Sequence, residues 1–187
     1  MTGAATKPSE SITPANVLKQ AGVDFGILGS AESCCGESIR KTGNEEVFKS
    51  LAKENIKAFI DNGVKRVLVA SPHCYHTFKN EYPEFMVNFD VVHISQFLQE
   101  LIEQGRLEFN GEYDKKVTFH DPCYLGRQSE PPQPWEGEEK MSHGVLTYFD
   151  PPKPINNGVN GVYEPPRRIL DRVEGLERTE MHRIREY

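Results

Sequence analysis

The chain has 187 residues, 37% hydrophobic and 27% charged, with a formal net charge of -6. That is the make-up of a soluble globular protein with room for one ordinary domain. An acidic balance without a basic block argues against nucleic-acid binding, the lack of about 18 consecutive apolar residues argues against a membrane-spanning helix, and the polar start has no secretory signal. A cytoplasmic location is therefore expected. The four cysteines are expected to be reduced thiols, ligands or nucleophiles rather than a disulfide framework.

Residues 1–15 read as a flexible lead and 16–187 as a single domain. Val17 to Ala21 closes a short helix, stopped by Gly22. Val23 to Leu28 reads as a buried strand, weakened by Gly26. The loop from Gly29 to Gly43 carries Cys34 and Cys35. A helix follows over 44–61, with Thr42 and Glu45 at capping-box spacing. Val47, Leu51, Ile56, Phe59 and Ile60 form its apolar face, and Asn62-Gly63 ends it.

Val64 to Ala70 is a second strand. Ser71 to Cys74 is a loop that opens a short helix ending near Tyr82-Pro83. Phe89 to His93 is a third strand, and Ser95 is placed to cap a helix reaching Gln104. Lys116 to His120 is a fourth strand, followed by Asp121-Pro122-Cys123. Residues 128–157 are proline-rich and read as a structureless insertion or lid, with Gly144 to Phe149 as a short strand in its middle. Glu164 to Asp171 starts as a helix with prolines in its first turn, and Leu176 to Met181 is a last strand.

Strands alternating with helices predict an α/β fold, a mostly parallel sheet of βαβ units. Cys34 and Cys35 then follow the first strand, Cys74 the second and Cys123 the fourth. Loops after the C-terminal ends of parallel strands line one crevice. The spacing therefore predicts that all four thiols gather at one sheet edge, in loops at strand C-terminal ends. Adjacent cysteines rarely bond to each other, because the ring is strained. Thiolates are the ligands that iron–sulfur clusters need, and four match the usual ligand count. Buried incidental cysteines are the plain alternative. A zinc site is a poorer match, since the familiar CxxC pairs are missing.

His73 and His120 fall on the same predicted edge, where either would bond a cluster sulfide or relay a proton. Otherwise each is a loop or strand-end residue. His76 is a candidate for an extra ligand. His93 is expected to cap or pack, and His143 and His182 to lie on the surface. Asp121 is expected to bond its own turn, and Arg127 to lie on the surface. Gly158 to Tyr163 lacks the strand, spacing and lysine of a phosphate loop.

The stretches SCCGESIRKTGNE, SPHCYHTFKNEYPEF, VVHISQFLQELIEQGRL, VTFHDPCYLGR and NGVYEPPRRIL resemble the cysteine-rich CCG domain of iron–sulfur oxidoreductases like the D-type subunit of heterodisulfide reductase. Relatives of that family include the iron–sulfur subunits of glycolate and lactate oxidation and a subunit of the membrane redox complexes of sulfate reducers. The resemblance covers about residues 16–127 and 158–187. It implies two related modules. Cys34, Cys35 and Gly36 match the CCG of the first, Cys74 its later cysteine, and Cys123 the leading cysteine of the second. It also implies that these cysteines bind a [4Fe-4S]-type cluster, noncubane in some members, and that ferredoxin-like or membrane electron-transfer subunits are partners.

The chain departs from that pattern at several places. Met1 to Ala5 contain no leading cysteine for the first module. The second CCG would follow Tyr187, so the domain reads as C-terminally incomplete. The CxxC is reduced to Cys74 with Thr77, and the 128–157 segment interrupts the LGR–NGVYE stretch. The expected function is an iron–sulfur oxidoreductase domain that exchanges electrons with a thiol or disulfide substrate or a partner redox subunit. It would be cytoplasmic or peripheral to a membrane complex. The alternatives are a docking domain that holds no cluster, and a thiol-dependent transferase using Cys35.

Overall fold

The computed structural model describes residues 8–130, 133–155 and 157–182. Residues 1–7 of the expected lead, Pro131 and Pro132 of the insertion, and residues 183–187 lie outside the described residues. Helix α1, Pro8–Gln20, takes in residues that had been expected in the lead. It ends as predicted at Gly22, whose φ of 63° lets Val23 N–H reach back to Leu18 O at 2.9 Å.

Two short pieces follow, a 3-10 turn at Gly29–Ala31 and the single helical turn α2, Glu37–Lys41. Helix α3, Glu45–Asp61, is capped by Asn44, whose side chain accepts from Val47 N–H at 3.2 Å. The expected capping box on Thr42 does not form, because Thr42 Oγ1 donates to Ile39 O at 2.8 Å. The buried face of α3 is Phe48, Ala52, Asn55, Ile56 and Phe59, rotated from the predicted one, and Val47 and Ile60 are exposed.

Strand β1, Arg66–Val69, leads into α4, Pro72–His76, which continues as a π-helical stretch to Glu81 and a 3-10 turn to Phe85. Strand β2, Asp90–His93, then pairs parallel with β1, with Val67 opposite Val91 and Leu68 opposite Val92. This is one βαβ unit. Helix α5, Ile94–Glu103, is capped by His93 rather than Ser95, in a capping box with Gln96.

Strand β3, Glu112–Thr118, pairs parallel with β6, Glu174–Thr179, through α6, Glu164–Leu170, which makes the second βαβ unit. Strands β4, Glu138–Ser142, and β5, Leu146–Asp150, form an antiparallel hairpin inside the insertion. The fold is α/β, as expected. Two features differ from the sequence reading. The described strands form three two-stranded sheets rather than one shared sheet. Among the described residues the segment Val23 to Leu28 is in no strand, and Leu28 is already helical in backbone. Gly26 has no side chain to pack, and Ile27 is 64% exposed. A cavity of about 460 Å³ is lined by this segment together with Leu18, Phe59, Val67, Leu68 and Phe97.

The insertion is not structureless. Lys140 lies opposite Tyr148 in its hairpin, and Trp135 packs edge-to-face on Phe149 at 5.4 Å while its indole N–H donates to Pro151 O at 2.8 Å. Its stem is closed. The buried Glu130 carboxylate accepts from Gly158 N–H and from the Asn160 amide, each at 2.8 Å, and Val162 N–H donates to Leu125 O at 2.9 Å. The main core gathers α3, β1, α4 and its continuation, with Cys35, Cys74, Tyr75, Tyr82 and Leu125 inside it. A second cluster packs Leu18 and Ala21 on Leu101. Among the described residues no helix is long and apolar enough to cross a membrane.

Candidate functional site

Cys34 and Cys35 lie where the chain turns from the 3-10 segment into α2. The turn is made at Gly36, with φ of 85°, and its N–H points to Cys34 Sγ at 3.4 Å. A side chain at Gly36 would also meet the Phe48 ring at 2.8 Å, so both backbone and space call for glycine. Cys74 is in the first turn of α4. Ser71 caps that turn, with its Oγ 3.5 Å from Cys74 N.

These two turns bring Cys35 Sγ and Cys74 Sγ to 3.3 Å, across 39 residues of sequence. Both thiols are buried, whereas Cys34 and Cys123 are exposed. Cys34 remains close enough for its charge to bear on Cys74. Cys123 follows β3, as predicted, on a turn whose next two residues join the same neighbourhood. Tyr124 stacks on His73 at 4.2 Å, and Leu125 belongs to the cluster that contains Cys35 and Cys74. The predicted gathering is thus partial. Cys35 and Cys74 touch, Cys34 is adjacent, and Cys123 stands on the neighbouring turn.

A buried polar clamp holds the backbone of the cysteine pair. Asn55, in the apolar face of α3, donates to Cys34 O at 2.9 Å and to Tyr82 Oη at 3.0 Å, and accepts from Ser33 Oγ at 3.0 Å. Tyr82 donates in turn to Cys35 O at 3.2 Å. Burial pushes the Tyr82 phenol up; the Asn55 hydrogen bond works against this, and charge on the nearby cysteines adds to it. The sequence reading missed both residues. The available signal was a lone Asn among apolar positions of a strongly amphipathic helix.

The site is rimmed by ionisable groups. Buried Glu37 lies 3.4 Å from His73 Nδ1, and His73 itself is half exposed. Tyr124 is pushed up by burial and by Glu37, to which it donates a hydrogen bond. Burial works to raise the Glu81 carboxyl, but His76, Lys41 and Arg40 outweigh it and hold it down at about 2. His76 is engaged here, with Nδ1 2.7 Å from Gln128 O and Nε2 3.4 Å from Glu81. His120 is at the exposed end of β3, with Nδ1 3.0 Å from Asp121 O. His93 is buried, bonded to Ser95 and to Ala70 O.

The contact between the two thiols shifts both. The hydrogen bond between Cys74 and Cys35 lowers Cys74, with burial opposing and Ser71 assisting. The same contact, with burial behind it, pushes Cys35 up. Cys74 is therefore the sulfur that ionises first.

The donor set is soft and thiol-rich, which suits iron–sulfur ligation. Two of the sulfurs are sheltered, and one accepts a backbone N–H. Yet among the described residues no group of three or more His, Cys, Asp or Glu side chains is arranged to hold a metal ion. The Cys35–Cys74 separation of 3.3 Å is shorter than the roughly 3.8 Å between sulfurs on one tetrahedral centre with bonds of about 2.3 Å. Two thiolates bound to one cluster would stand farther apart than this.

Comparison with known proteins finds similarity to a cysteine-rich domain family and to oxidoreductases, some of them named for iron–sulfur binding. Residues 4–79 match the family CCG, described as a cysteine-rich domain. The EtfAB:quinone oxidoreductase of Syntrophomonas wolfei is 42% identical over 60% of this chain and 16% of its own length. FadF of Bacillus subtilis, named a probable iron-sulfur-binding oxidoreductase, is 38% identical over 81% of this chain and 19% of its own. The D-type subunit of the dihydromethanophenazine:CoB--CoM heterodisulfide reductase of Methanosarcina acetivorans is 33% identical over 87% of this chain and 36% of its own. The chain thus spans well under half the length of these curated relatives. No solved structure matches it.

Proposed function

We propose, on the premise that this chain carries the cysteine-rich domain of the CCG family, that it is the iron–sulfur domain of an oxidoreductase. It would pass electrons between a [4Fe-4S]-type cluster and either a thiol or disulfide substrate or a partner redox subunit. One observation carries this reading. Cys35 and Cys74, 39 residues apart, have their sulfurs 3.3 Å from each other, next to Cys34. Chance burial of single cysteines does not account for two separate turns delivering thiols to one point. The names of the relatives support it, since they describe iron–sulfur binding, heterodisulfide reduction and quinone reduction.

Cys34, Cys35, Cys74 and Cys123 are the proposed ligands. A bound cluster would supply one-electron chemistry that thiols alone lack. The chain's own residues would do the rest. The core around Cys35 and Cys74 excludes water from two sulfurs, and Gly36 N–H faces the Cys34 sulfur. His73, with Nδ1 toward Glu37, and His120 are the proposed proton-relay residues. Partners would be ferredoxin-like or membrane electron-transfer subunits. The setting would be cytoplasmic, at the surface of a membrane redox complex.

A second reading rests on the same contact, taken with the ligand geometry around it. The thiol pair is closed to 3.3 Å, and no three-ligand group is assembled among the described residues. These favour a docking domain that holds no cluster. Serine variants at each cysteine separate the two readings. On the proposed function, single Ser replacement of Cys35 or Cys74 removes most of the iron taken up anaerobically, and replacement of Cys34 or Cys123 removes part of it. Equal iron content in all four variants and the unchanged chain would overturn the ligand set.

A further inference from the structure

Near Cys123 the structure shows a contact that the sequence does not suggest. Asp121 is 4% exposed, and its two carboxylate oxygens each accept from the guanidinium of Arg167 at 2.6 Å. Arg167 is 3% exposed. It projects from α6, donates also to Tyr163 O at 2.9 Å, and forks to Glu180 at 2.7 and 3.1 Å. Arg178 ties Glu180 to Asp171, at the end of α6. The guanidinium rests over the Phe119 ring at 5.5 Å.

The other side of the cysteine is fastened as well. Leu125 and Gly126 N–H both donate to Pro122 O, and Gln128 N–H donates to Cys123 O at 2.9 Å. Leu125 is buried in the main core, its carbonyl held by Val162 N–H. Pro122 fixes its own φ and biases Asp121 to extended backbone. Once the Asp121 carboxylate is gripped by a rigid fork, the direction in which the chain enters this turn is set. Cys123 is the exposed member of a turn fixed before and after it.

We infer that Arg167 is a positioning residue. It holds Asp121, and through it the turn bearing Cys123, against α6 and β6, so that the exposed thiol is presented toward the Cys35–Cys74 pair. The inference rests on the proposed function for the role of Cys123, and on geometry alone for the role of Arg167. A buried ion pair is weak evidence for stability, because an apolar pair of similar volume serves as well or better. Placed two residues from a thiol and gripping by both oxygens, this pair fits orientation better than cohesion. It also links α6 and β6, which follow the insertion, to the half of the chain that carries the other cysteines.

The test uses the full chain and three variants. Arg167→Met alone leaves Asp121 buried without its partner and is liable to unfold. The informative variant is therefore Arg167→Met with Asp121→Leu, which removes both buried charges, and Arg167→Lys asks whether charge without the fork suffices. Cys123→Ser is the control. Circular dichroism establishes that each is folded. In the metal-free chain, amide exchange over residues 121–126 should rise about tenfold or more in the double variant while residues 33–36 stay unchanged. After anaerobic reconstitution with iron and sulfide, the double variant should give the EPR spectrum of Cys123→Ser rather than that of the unchanged chain. Arg167→Lys should restore that spectrum only in part.

A folded double variant with unchanged exchange at 121–126 overturns the positioning role, and so does one that keeps the unchanged EPR spectrum when Cys123→Ser does not. If Cys123→Ser itself keeps the unchanged spectrum, or if no chain takes up iron, the ligand assignment fails. The exchange result then decides the positioning role alone.

Discussion

Asn55 makes three hydrogen bonds from the interior of α3, one each to Ser33, the Cys34 carbonyl and Tyr82. It is 1% exposed, so no water replaces those partners if it is lost. Asn55→Leu would remove all three bonds and leave the buried Tyr82 phenol only its bond to Cys35 O, a cost of about 2–4 kcal/mol. Urea unfolding should show the loss as a lower midpoint with an unchanged slope, and alkylation of the metal-free chain should find Cys35 more reactive. An Asn55→Leu variant as stable as the parent, with Cys35 still protected, would contradict the clamp.

His93 offers a test through pH. It is buried beside Ala70 O and Ser95, and burial holds it down at about 4, with the Ala70 bond opposing. The unfolded chain binds a proton near pH 6.5 and the folded chain only near 4. Stability is therefore full above about 6.5 and falls as pH drops through that window, by about 3 kcal/mol in all. Unfolding midpoints measured between pH 7 and 4 should follow this fall, and His93→Gln should flatten it.

At the scale of elements, the insertion is the most separable part. Its hairpin β4–β5 stands on a stem closed by Glu130 with Gly158 and Asn160 and by Leu125 with Val162. Removing residues 131–157 and joining Glu130 to Gly158 by a short flexible link should leave the rest folded. The melting temperature should move by no more than the few degrees that about 1 kcal/mol of loop entropy represents. Collapse of the fold on excision would mean that the hairpin is part of the core.

Elements with a strong period or strong punctuation were legible in the sequence. Helix α3, strands β1 and β2, the break at Gly22 and the short helix after Ser71 all fall where residue pattern and capping put them. Tertiary competition decided the rest. Asn44 took the cap from Thr42 because the Thr42 hydroxyl found Ile39 O. The face of α3 rotated to place Phe48 and Asn55 under the cysteine turn. Val23 to Leu28 has the apolar content of a strand but no ladder partner, which composition does not reveal. In the insertion, proline content hid a hairpin whose strands lie between the prolines.

At the scale of the whole molecule, two βαβ units bring separate loops toward one place. The positions of Cys74 and Cys123 after β1 and β3 were readable in advance, whereas Cys34 and Cys35 follow a segment that is in no described strand. The degree of closure was not readable, because it depends on side chains far away in sequence: Asn55 and Tyr82 beneath Cys34 and Cys35, Arg167 beneath Asp121. The site is a touching thiol pair with two exposed thiols on adjoining turns. Anaerobic reconstitution of the chain with iron and sulfide, followed by metal analysis, visible absorption and EPR under reducing and oxidising conditions, tests the central claim most directly. The account predicts a brown protein with bound iron and acid-labile sulfide and a paramagnetic signal in one redox state. A colourless protein without iron, EPR-silent in both states, would contradict it.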